Sequence, residues 1–257
     1  GKRKLRDLRK ADFVKARDAL KKETNKRTGK PYAPATVNRY SMNMSSVLTA
    51  AVEEWFLLES NPARIKQLSE NNTRDRILSA EEQERLITAC EGVEEVALLP
   101  FVLMALGSGA RAGELTNLRW SDVDLDEGFA ILRDTKNGDT RMIPVMGYAL
   151  DTLKTYRNQF DAVPIGSAFV FKNNTGRVPF HYHLAWDKAR IAAGIPDFKF
   201  HDIRHTAASN VAMAGRSLGE IGALLGHRSV QTTRRYAHYA SEHNMKMGEI
   251  IAVRKKK

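Results

Sequence analysis

The amino-acid sequence predicts a mainly α-helical protein with a small β-sheet, divided into a helical first domain and a mixed α/β second domain. Three observations lead to this prediction. Apolar residues recur at helical spacing along most of the chain. Residues 66–76, KQLSENNTRDR, are polar and charged and lack that spacing, as a linker between domains does. Asn137-Gly138 lies between two short apolar segments and favours the tight turn of a β-hairpin.

Length and composition restrict the class of protein. The chain has 257 residues, enough for two domains, and 42% of them are hydrophobic. The single cysteine, Cys90, cannot form a disulfide framework, and its apolar helical surroundings indicate a buried thiol instead of a nucleophile. The longest apolar segment, residues 96–106, contains Pro100 and is too short to cross a bilayer. No signal peptide is visible, so we expect a cytoplasmic protein without a membrane partner.

The positive charge is concentrated in the first part of the chain. The formal net charge is +11, and residues 1–74 carry 17 Lys and Arg against 8 Asp and Glu, a net +9. Basic surfaces of this kind bind polyanions through release of counterions, without selecting which polyanion. A solvated, lysine-rich helix surface remains the alternative on charge alone.

Two helices are predicted in the first domain. One covers residues 12–22 and is capped by the aspartate at its start, and a longer one covers residues 35–56. The apolar side of the longer helix is expected to carry Val37, Tyr40, Met44, Val47, Leu48 and Ala51. Thr36, Asn38 and Arg39 lie at its start, and we expect all three to face outward, where Asn and Arg side chains could read base edges or hold phosphates in a DNA groove. Ordinary helix surface is the alternative.

The second domain is predicted to begin with a helix at Ser79. The sequence Ser79-Ala80-Glu81-Glu82 has the form of a capping box. Residues 96–107 are then expected to form a buried helix, followed by the turn SGARAGEL, which leads into another helix with Arg111 at its start. For Arg111 an ion pair with Glu114 is the alternative to a functional role.

A β-hairpin is predicted in the middle of the second domain. Residues 129–133 and 140–145 are its strands, and the Asn137-Gly138 turn holds Lys136 at the tip. A lysine at such a tip is usually only solvated. The remaining elements expected before residue 199 are helices at 148–158 and 182–193, with a short strand at 168–171 between them.

The stretch from Lys199 to Tyr239 concentrates cations and imidazoles. A helix over residues 202–214 would present His201, Arg204 and His205 on one face near its N-terminus, because they stand at i, i+3 and i+4. An anion is favoured at that position. The helix would therefore hold an anion beside two imidazoles and a guanidinium.

A second helix end and a tyrosine follow in the same stretch. Residues 224–227, LLGH, are typical of a helix that ends on Gly226, with His227 turned outward beyond it. Tyr236 comes nine residues later. Cations, imidazoles and a tyrosine, without a carboxylate pair or a glycine-rich loop, suit phosphoryl transfer through a covalent tyrosyl intermediate.

These segments resemble a known family. The residues that carry the resemblance are Arg111 in SGARAGEL, Lys136 in the hairpin, His201 and Arg204 in HDIRH, His227 in LGH and Tyr236 in TTRRYAH. Their order and spacing are similar to those of the tyrosine recombinases, the phage integrase family, over residues 79–239.

The first domain resembles the family's helical core-binding domain more loosely, best at PATVNRY; it is short at its N-terminus, and the arm-binding domain of many phage integrases is not seen. The expected division is 1–66 for the core-type DNA-binding domain, 67–78 for the linker, 79–240 for the catalytic domain and 241–257 for a tail.

The resemblance implies a role for each of the six residues. Arg111 and Arg204 are planar forks that can hold the non-bridging oxygens of a phosphodiester. Tyr236 would be the nucleophile, with Tyr239 as a rival that more readily packs. The other implied roles are Lys136 as general acid for the departing 5′-oxygen, His201 as general acid or base, and His227 as a hydrogen-bond donor to the phosphate. Asp202 and His205 are expected to be structural, the latter as a buried, hydrogen-bonded histidine, and no metal or other cofactor is expected.

The resemblance also implies a function and partners. The chain is expected to be a site-specific DNA recombinase that acts through a 3′-phosphotyrosyl intermediate, for integration and excision of a mobile element. An Xer-type chromosome-dimer resolvase, a type IB topoisomerase-like enzyme and a non-catalytic DNA-binding architectural protein are the alternatives. The expected partners are double-stranded DNA with specific core sites, encircled by the two domains, a homotetramer on synapsed sites with the tail docked in trans, and DNA-bending accessory factors. The expected location is the nucleoid of a bacterial host cell.

Overall fold

The computed structural model describes residues 4–70, 74–133, 140–160, 168–176 and 178–240. The chain forms two compact units, residues 1–74 and 75–257. The described residues are mostly helical, with one small sheet, so the predicted fold class is confirmed. Within the described ranges, no helix combines the length and apolar character needed to cross a membrane.

The first unit contains two helices. Helix α1 spans Lys10–Lys22 and α2 spans Pro34–Glu53, with a 3-10 turn at Leu5–Asp7 before them. Asp12 was predicted as the N-cap of α1, but it lies in the third helical position, where its carboxylate accepts a hydrogen bond from the Arg9 backbone N–H at 2.8 Å. Pro34 begins α2 because its constrained φ suits the first helical position.

The buried side of α2 differs from the predicted one. Val37, Leu48 and Ala51 are buried as expected, but Tyr40, Met44 and Val47 are each more than half exposed. Asn38, which was expected to face outward, is only 2% exposed. The predicted exposure was therefore wrong for Tyr40, Met44 and Val47 on the apolar side and for Asn38 on the polar side.

The chain that returns after residue 60 explains the buried Asn38. The side-chain amide of Asn38 donates to the carbonyl of Leu68 at 2.9 Å and to Oε1 of Glu70 at 2.6 Å, and its Oδ1 accepts from the Leu68 N–H at 2.8 Å. Ala63 and Ile65 in the same segment are buried. Asn38 thus holds the returning chain against α2, and no helical periodicity encodes such a contact.

Removal of this amide is expected to loosen the first unit. Asn38→Ala leaves the Leu68 N–H and C=O without their partner, which costs about 1–3 kcal/mol. Hydrogen exchange of the α2 backbone amides in the whole chain measures the change. Asn43→Ala is the matched control, since Asn43 is an exposed asparagine of the same helix. Equal exchange in the two variants would contradict the role of Asn38.

The first helix of the second unit begins as predicted. Ser79 caps helix α3, Ala80–Glu91, and Glu82 reciprocates from the third position, so the capping box is confirmed. Helix α4, Leu98–Ser108, is buried almost throughout and forms the centre of the unit. The helical segments that follow it are α5 at Ala112–Thr116, a 3-10 turn at Trp120–Asp122, α6 at Tyr148–Asn158 and α7 at His183–Ala192.

The described residues form a three-stranded antiparallel sheet in the order β1-β2-β3. The strands are β1 at Val123–Asp124, β2 at Phe129–Leu132 and β3 at Arg141–Pro144. Leu132 pairs with Arg141, so β2 and β3 are the two strands of the predicted hairpin. Its turn, with Lys136, lies outside the described residues. The strand predicted at 168–171 is instead one isolated bridge, between Arg119 and Phe169.

Four helical segments follow α7 in the described residues. They are α8 at Phe200–Met213, α9 at Leu218–Leu225, α10 at Val230–Thr233 and a 3-10 helix at Arg234–Ala240. Helix α8 begins two residues earlier than predicted, after the backbone of Lys199, whose N–H donates to Asp202 at 2.9 Å. Asp202 is therefore a first-turn carboxylate, as expected. The 3-10 helix packs against α8, and this contact brings Tyr236 to the face of α8 that carries the histidines.

Candidate active site

One cavity of about 460 Å³ in the second unit brings together the predicted residues. Arg111, His201, Arg204, His227 and Tyr236 all line it. The remaining lining residues are His205, Arg228, Ser229, Thr232 and Arg235. Lys136, the sixth predicted residue, lies outside the described residues. The cavity is therefore lined by guanidinium groups, imidazoles, two aliphatic hydroxyl side chains and one phenol.

Arg204 is a buried residue that lines this cavity. It is 4% exposed, and its two terminal nitrogens donate to the carbonyls of Gly109 and Leu225, each at 2.7 Å. Burial, together with the charge of Arg111, lowers its pKa to about 10, so it stays protonated at neutral pH. A guanidinium has five N–H donors, and these two bonds leave three for an anion in the cavity.

Gly109 allows the close approach that Arg204 requires. It ends α4 with a φ of 63°, in the left-handed region. A Cβ at this position would lie 2.5 Å from Cδ2 of Leu225. Glycine is thus needed where the end of α4 meets α9, and the carbonyl of Gly109 faces Arg204 as a result.

Arg111 is held by a buried carboxylate at the start of α5. Its Nη1 donates to Oε1 of Glu114 at 2.6 Å, and its backbone N–H donates to Oε2 at 2.9 Å. Glu114 is 9% exposed and also accepts from Arg141 on β3 at 2.8 Å. Burial alone would raise the pKa of Glu114, but the hydrogen bonds from Arg141 and from Arg111 outweigh it and lower this pKa.

Arg111 therefore forms the ion pair that was the alternative to a functional role, but the pair does not remove it from the cavity. Glu114 uses its two oxygens to fix both Arg111 and Arg141. The guanidinium of Arg111 is oriented while it keeps donors toward the cavity. Sequence reasoning anticipated the pair of Glu114 with Arg111 but missed Arg141, because a buried carboxylate shared between two elements has no local pattern.

His227 follows the left-handed Gly226, as predicted. Its Nδ1 lies 2.9 Å from Oγ1 of the fully buried Thr233. Burial, and then the charge of Arg204, lowers the pKa of His227 to about 4. The imidazole is therefore neutral at pH 7. In the tautomer with the proton on Nε2, Nδ1 accepts from the Thr233 hydroxyl and Nε2–H can donate toward the cavity.

Tyr236 lies on the 3-10 helix and is 3% exposed. Its hydroxyl oxygen is 2.8 Å from Nδ1 of His205. Burial raises the pKa of Tyr236, while the charges of Arg235 and Arg204 act in the opposite direction. Tyr239, the rival nucleophile, is absent from the cavity lining and packs against the small apolar cluster of α8 and α9.

His205 lies closer to the predicted nucleophile, Tyr236, than sequence reasoning suggested. It is hydrogen-bonded and half-buried, but its partner is the Tyr236 hydroxyl and not a structural group. His201 lies at the exposed rim, with its ring edge-on to that of His205 at a centroid distance of 5.3 Å. Desolvation in the cavity and the charge of Arg204 lower the pKa of His201. The spacing of 31 residues between His205 and Tyr236 gave no signal of their contact.

The predicted DNA-contacting residues belong to the first unit. Thr36 and the exposed Arg39 border a groove of about 400 Å³ along α2, together with Tyr40 and Asn43. Asn38 does not border it, in keeping with its burial.

The second unit should lose stability as the pH falls below neutrality. His205 and His227 have a pKa of about 4 in the fold and about 6.5 when unfolded, so below pH 6.5 the unfolded chain binds more protons and is favoured. Their contribution is fully present above pH 6.5 and is lost between pH 6.5 and 4. The carboxyl group of Glu82, with a pKa of about 2 in the fold, does not titrate in the upper part of this window.

Thermal unfolding between about pH 7 and 5 measures this effect. We expect the Tm to fall with pH in the wild type and to fall less steeply in His227→Gln. His181→Gln, a change at an exposed histidine, is the matched control and should keep the wild-type slope. A Tm that is independent of pH in this window contradicts the prediction.

Taken together, the cavity can hold a tetrahedral anion between fixed guanidinium groups, with a neutral imidazole donor and a tyrosine hydroxyl beside it. Cations fixed in this way stabilise a transition state that gains negative charge. In the described part of the chain, no group of three or more His, Cys, Asp or Glu side chains is placed to hold a metal ion.

Comparison with known proteins identifies the relatives of this chain. The sequence model of the phage integrase family matches residues 76–243. A shufflon-specific DNA recombinase of Escherichia coli is 33% identical over 245 residues, which cover 92% of this chain and 59% of that protein. The integrase of Salmonella phage P22 is 31% identical over 231 residues, which cover 83% of this chain and 56% of that protein. The chain thus spans less than two thirds of the length of these two relatives.

Solved structures support the fold. The integrase of the Tn1549 transposon, in complex with circular intermediate DNA, superposes with a TM-score of 0.73 at 18% identity, over 95% of this chain and 87% of that one. The catalytic domain of bacteriophage HP1 integrase superposes with a TM-score of 0.54 at 24% identity, over 68% of this chain and 94% of that one.

Proposed function

This chain belongs to the phage integrase family, and from this premise we propose that it is a site-specific DNA recombinase that cleaves and rejoins strands through a 3′-phosphotyrosyl intermediate. The observation that carries the proposal is the convergence of Arg111, Arg204, His227 and Tyr236 on one cavity. A DNA-binding protein without catalytic activity would not need a tyrosine hydroxyl beside two fixed guanidinium groups.

The proposed reaction begins with attack of the Tyr236 hydroxyl on a backbone phosphorus. The attack adds a second negative charge to the phosphate oxygens in the transition state, and Arg111 and Arg204 bind that charge more strongly than the substrate's single charge. His227 donates Nε2–H to a non-bridging oxygen, and His201 assists proton transfer as a general acid or base. We assign Lys136 as the general acid for the departing 5′-oxygen.

The covalent intermediate explains how strands can be rejoined without an external energy source. The phosphotyrosyl ester retains the energy of the broken phosphodiester. A 5′-hydroxyl from another strand can therefore attack it and release Tyr236. A nuclease would transfer the phosphate to water and lose this capacity.

Integration and excision of a mobile element is the process we favour. Two relatives with more than 30% identity are a shufflon-specific recombinase and a phage integrase. An Xer-type resolvase is the second candidate, because a tyrosine recombinase XerA of Thermococcus kodakarensis is 27% identical over 82% of this chain. Exchange of four strands further requires a homotetramer on two sites. We also propose that residues 241–257 dock in trans on a neighbouring subunit and that DNA-bending accessory factors take part. We propose that the protein acts at the nucleoid of a bacterial host cell.

The domain assignment is also part of the proposal. We assign residues 1–66 to core-site binding, 67–78 to a linker and 79–240 to catalysis. Thr36 and Arg39 are the proposed DNA contacts of the first domain, because they border the groove along α2. Asn38 instead supports the helix.

The DNA-contact assignment predicts a change in salt dependence. Arg39→Ala should weaken DNA binding and reduce the slope of log K against log salt by about 1, the effect of one lost phosphate contact. Fluorescence anisotropy with a core-site duplex at several salt concentrations measures the slope. Arg64→Ala, at another exposed arginine of the same unit, is the control. An unchanged slope in Arg39→Ala would reject the contact.

The experiment that tests the proposed function is trapping of a covalent adduct. A nicked duplex that carries the ends of the mobile element is incubated with the chain in EDTA, so that the departing strand diffuses away and the intermediate accumulates. Mass spectrometry of the digested adduct should place the nucleotide on Tyr236. Absence of an adduct, or a nucleotide on Tyr239, would refute the proposal.

A further inference from the structure

His205 is the residue that touches the proposed nucleophile. Among the residues that the structure describes, Nδ1 of His205 is the one hydrogen-bond partner of the Tyr236 hydroxyl, at 2.8 Å. His201, to which the resemblance gives the acid/base role, lies at the exposed rim of the cavity and contacts the ring of His205. The two histidines therefore have different relations to the reacting oxygen.

The surroundings of Tyr236 indicate the direction of this hydrogen bond. The cations that act on its hydroxyl are Arg235 and Arg204, and a guanidinium can donate a hydrogen bond but cannot accept one. If Nδ1 of His205 also donated, the hydroxyl proton of Tyr236 would have no acceptor among the residues that the structure describes. The arrangement that satisfies every group has His205 neutral, with its proton on Nε2 and with Nδ1 accepting from Tyr236.

We propose that His205, and not His201, accepts the proton of Tyr236 when the hydroxyl attacks DNA. This inference rests on the proposed function. In the step, the O–H bond of Tyr236 breaks and its proton moves to Nδ1 of His205, while the phenolic oxygen forms a bond to phosphorus. The bond from phosphorus to the 5′-oxygen breaks, and that oxygen takes a proton from the general acid. Proton and charge are then balanced, with His205 left as an imidazolium ion.

The electrostatics of the cavity suit this role. His205 is faced by Arg235, His201 and Arg204, with Asp202 as the opposing carboxylate, and burial together with these charges lowers its pKa to about 4. The base form is therefore fully available at neutral pH. A bound phosphodiester adds negative charge beside the same groups, and the transition state adds more, so proton uptake by His205 becomes favourable as the attack proceeds.

The tautomer of His205 tests the proposal without any DNA substrate. Two-bond ¹⁵N–¹H spectra of the labelled whole chain distinguish a protonated from an unprotonated Nδ1. We expect an unprotonated Nδ1 for His205 at neutral pH, with a chemical shift that moves in Tyr236→Phe when the hydrogen bond is lost. A proton on Nδ1 of His205 would overturn the proposal, because that nitrogen could not then accept another.

Single-turnover cleavage tests the chemistry. On the nicked duplex, His205→Gln and His205→Ala should both cleave about 10² to 10⁴ times more slowly than the wild type, the usual contribution of a general base. Glutamine can hold the hydroxyl by a hydrogen bond but cannot take its proton. Recovery of the wild-type rate in His205→Gln would reduce His205 to a positioning residue and overturn the proposal.

A more acidic nucleophile distinguishes the role of His205 from that of His201. 3,5-Difluorotyrosine at position 236 has a lower pKa than tyrosine, so its deprotonation depends less on a base. The ratio of the cleavage rate with His205 to the rate with His205→Gln should therefore fall at least about tenfold. The corresponding ratio for His201→Gln should stay unchanged. A smaller rate ratio for His201→Gln, with an unchanged ratio for His205→Gln, would overturn the proposal and assign the general base to His201.

The results of these experiments distinguish failure of this inference from failure of the proposed function. If the wild type forms no adduct at Tyr236, the function itself is refuted, and the inference with it. If the wild type forms the adduct and His205→Gln cleaves at the same rate with the same pH dependence, only the inference is refuted.

Discussion

Tyr236→Phe is expected to abolish the covalent DNA adduct while DNA binding is retained. Removal of the nucleophile from an enzyme that acts through a covalent intermediate costs roughly 10⁶-fold in rate, which places cleavage below detection. The ring remains in its apolar site, and the variant loses one hydrogen bond, to His205. The free energy of unfolding should therefore change by only about 1 kcal/mol.

Gel separation of the adduct on the nicked duplex, together with a binding titration on the intact duplex, measures the two effects. Tyr239→Phe is the matched control, because Tyr239 lies three residues away and packs outside the cavity. It should form the adduct at the wild-type rate. An adduct in Tyr236→Phe, or its loss in Tyr239→Phe, would show that the wrong tyrosine has been assigned.

Arg204→Lys is expected to have the second-largest effect, a fall in cleavage rate of about two or more powers of ten. Lysine keeps the charge but presents a single ammonium group, which cannot hold the carbonyls of Gly109 and Leu225 and a phosphate oxygen in the same geometry. We therefore expect the site to require the planar guanidinium of Arg204 and not its charge alone.

The free energy of unfolding distinguishes the catalytic role of Arg204 from its structural role. Arg204→Ala leaves two buried carbonyls without a donor, so we expect it to be less stable than Arg204→Lys by a few kcal/mol in addition to being inactive. Arg216→Lys, at an arginine whose side chain is 65% exposed, is the control and should behave as wild type. Equal cleavage by Arg204→Lys and wild type would remove Arg204 from the proposed mechanism.

Local chemistry made much of the fold predictable from the sequence. The Ser79 capping box, the end of α9 on Gly226 and the strands on either side of Asn137-Gly138 each follow from residues close in sequence. Predictions that depended on distant chain segments were less successful. Asn38 is buried because residues 68–70 return to it, and the strand predicted at 168–171 is a single bridge to Arg119.

The sequence by itself determined which residue types stand together on each short segment. His201, Arg204 and His205 share a helix face because the helix repeats every 3.6 residues, and no tertiary contact is needed for that. The order of Arg111, Arg204, His227 and Tyr236 along the chain is likewise a property of the sequence.

Only the tertiary structure decided how these groups meet. Arg204 reaches Gly109 across 95 positions, and His205 reaches Tyr236 across 31, through the packing of α4, α8 and the last 3-10 helix. Such contacts depend on the shapes of whole packed elements, and a periodic pattern within one element cannot encode them. For this reason the sequence pointed to a tyrosine among cations, whereas the fold assigned that tyrosine its partner, His205.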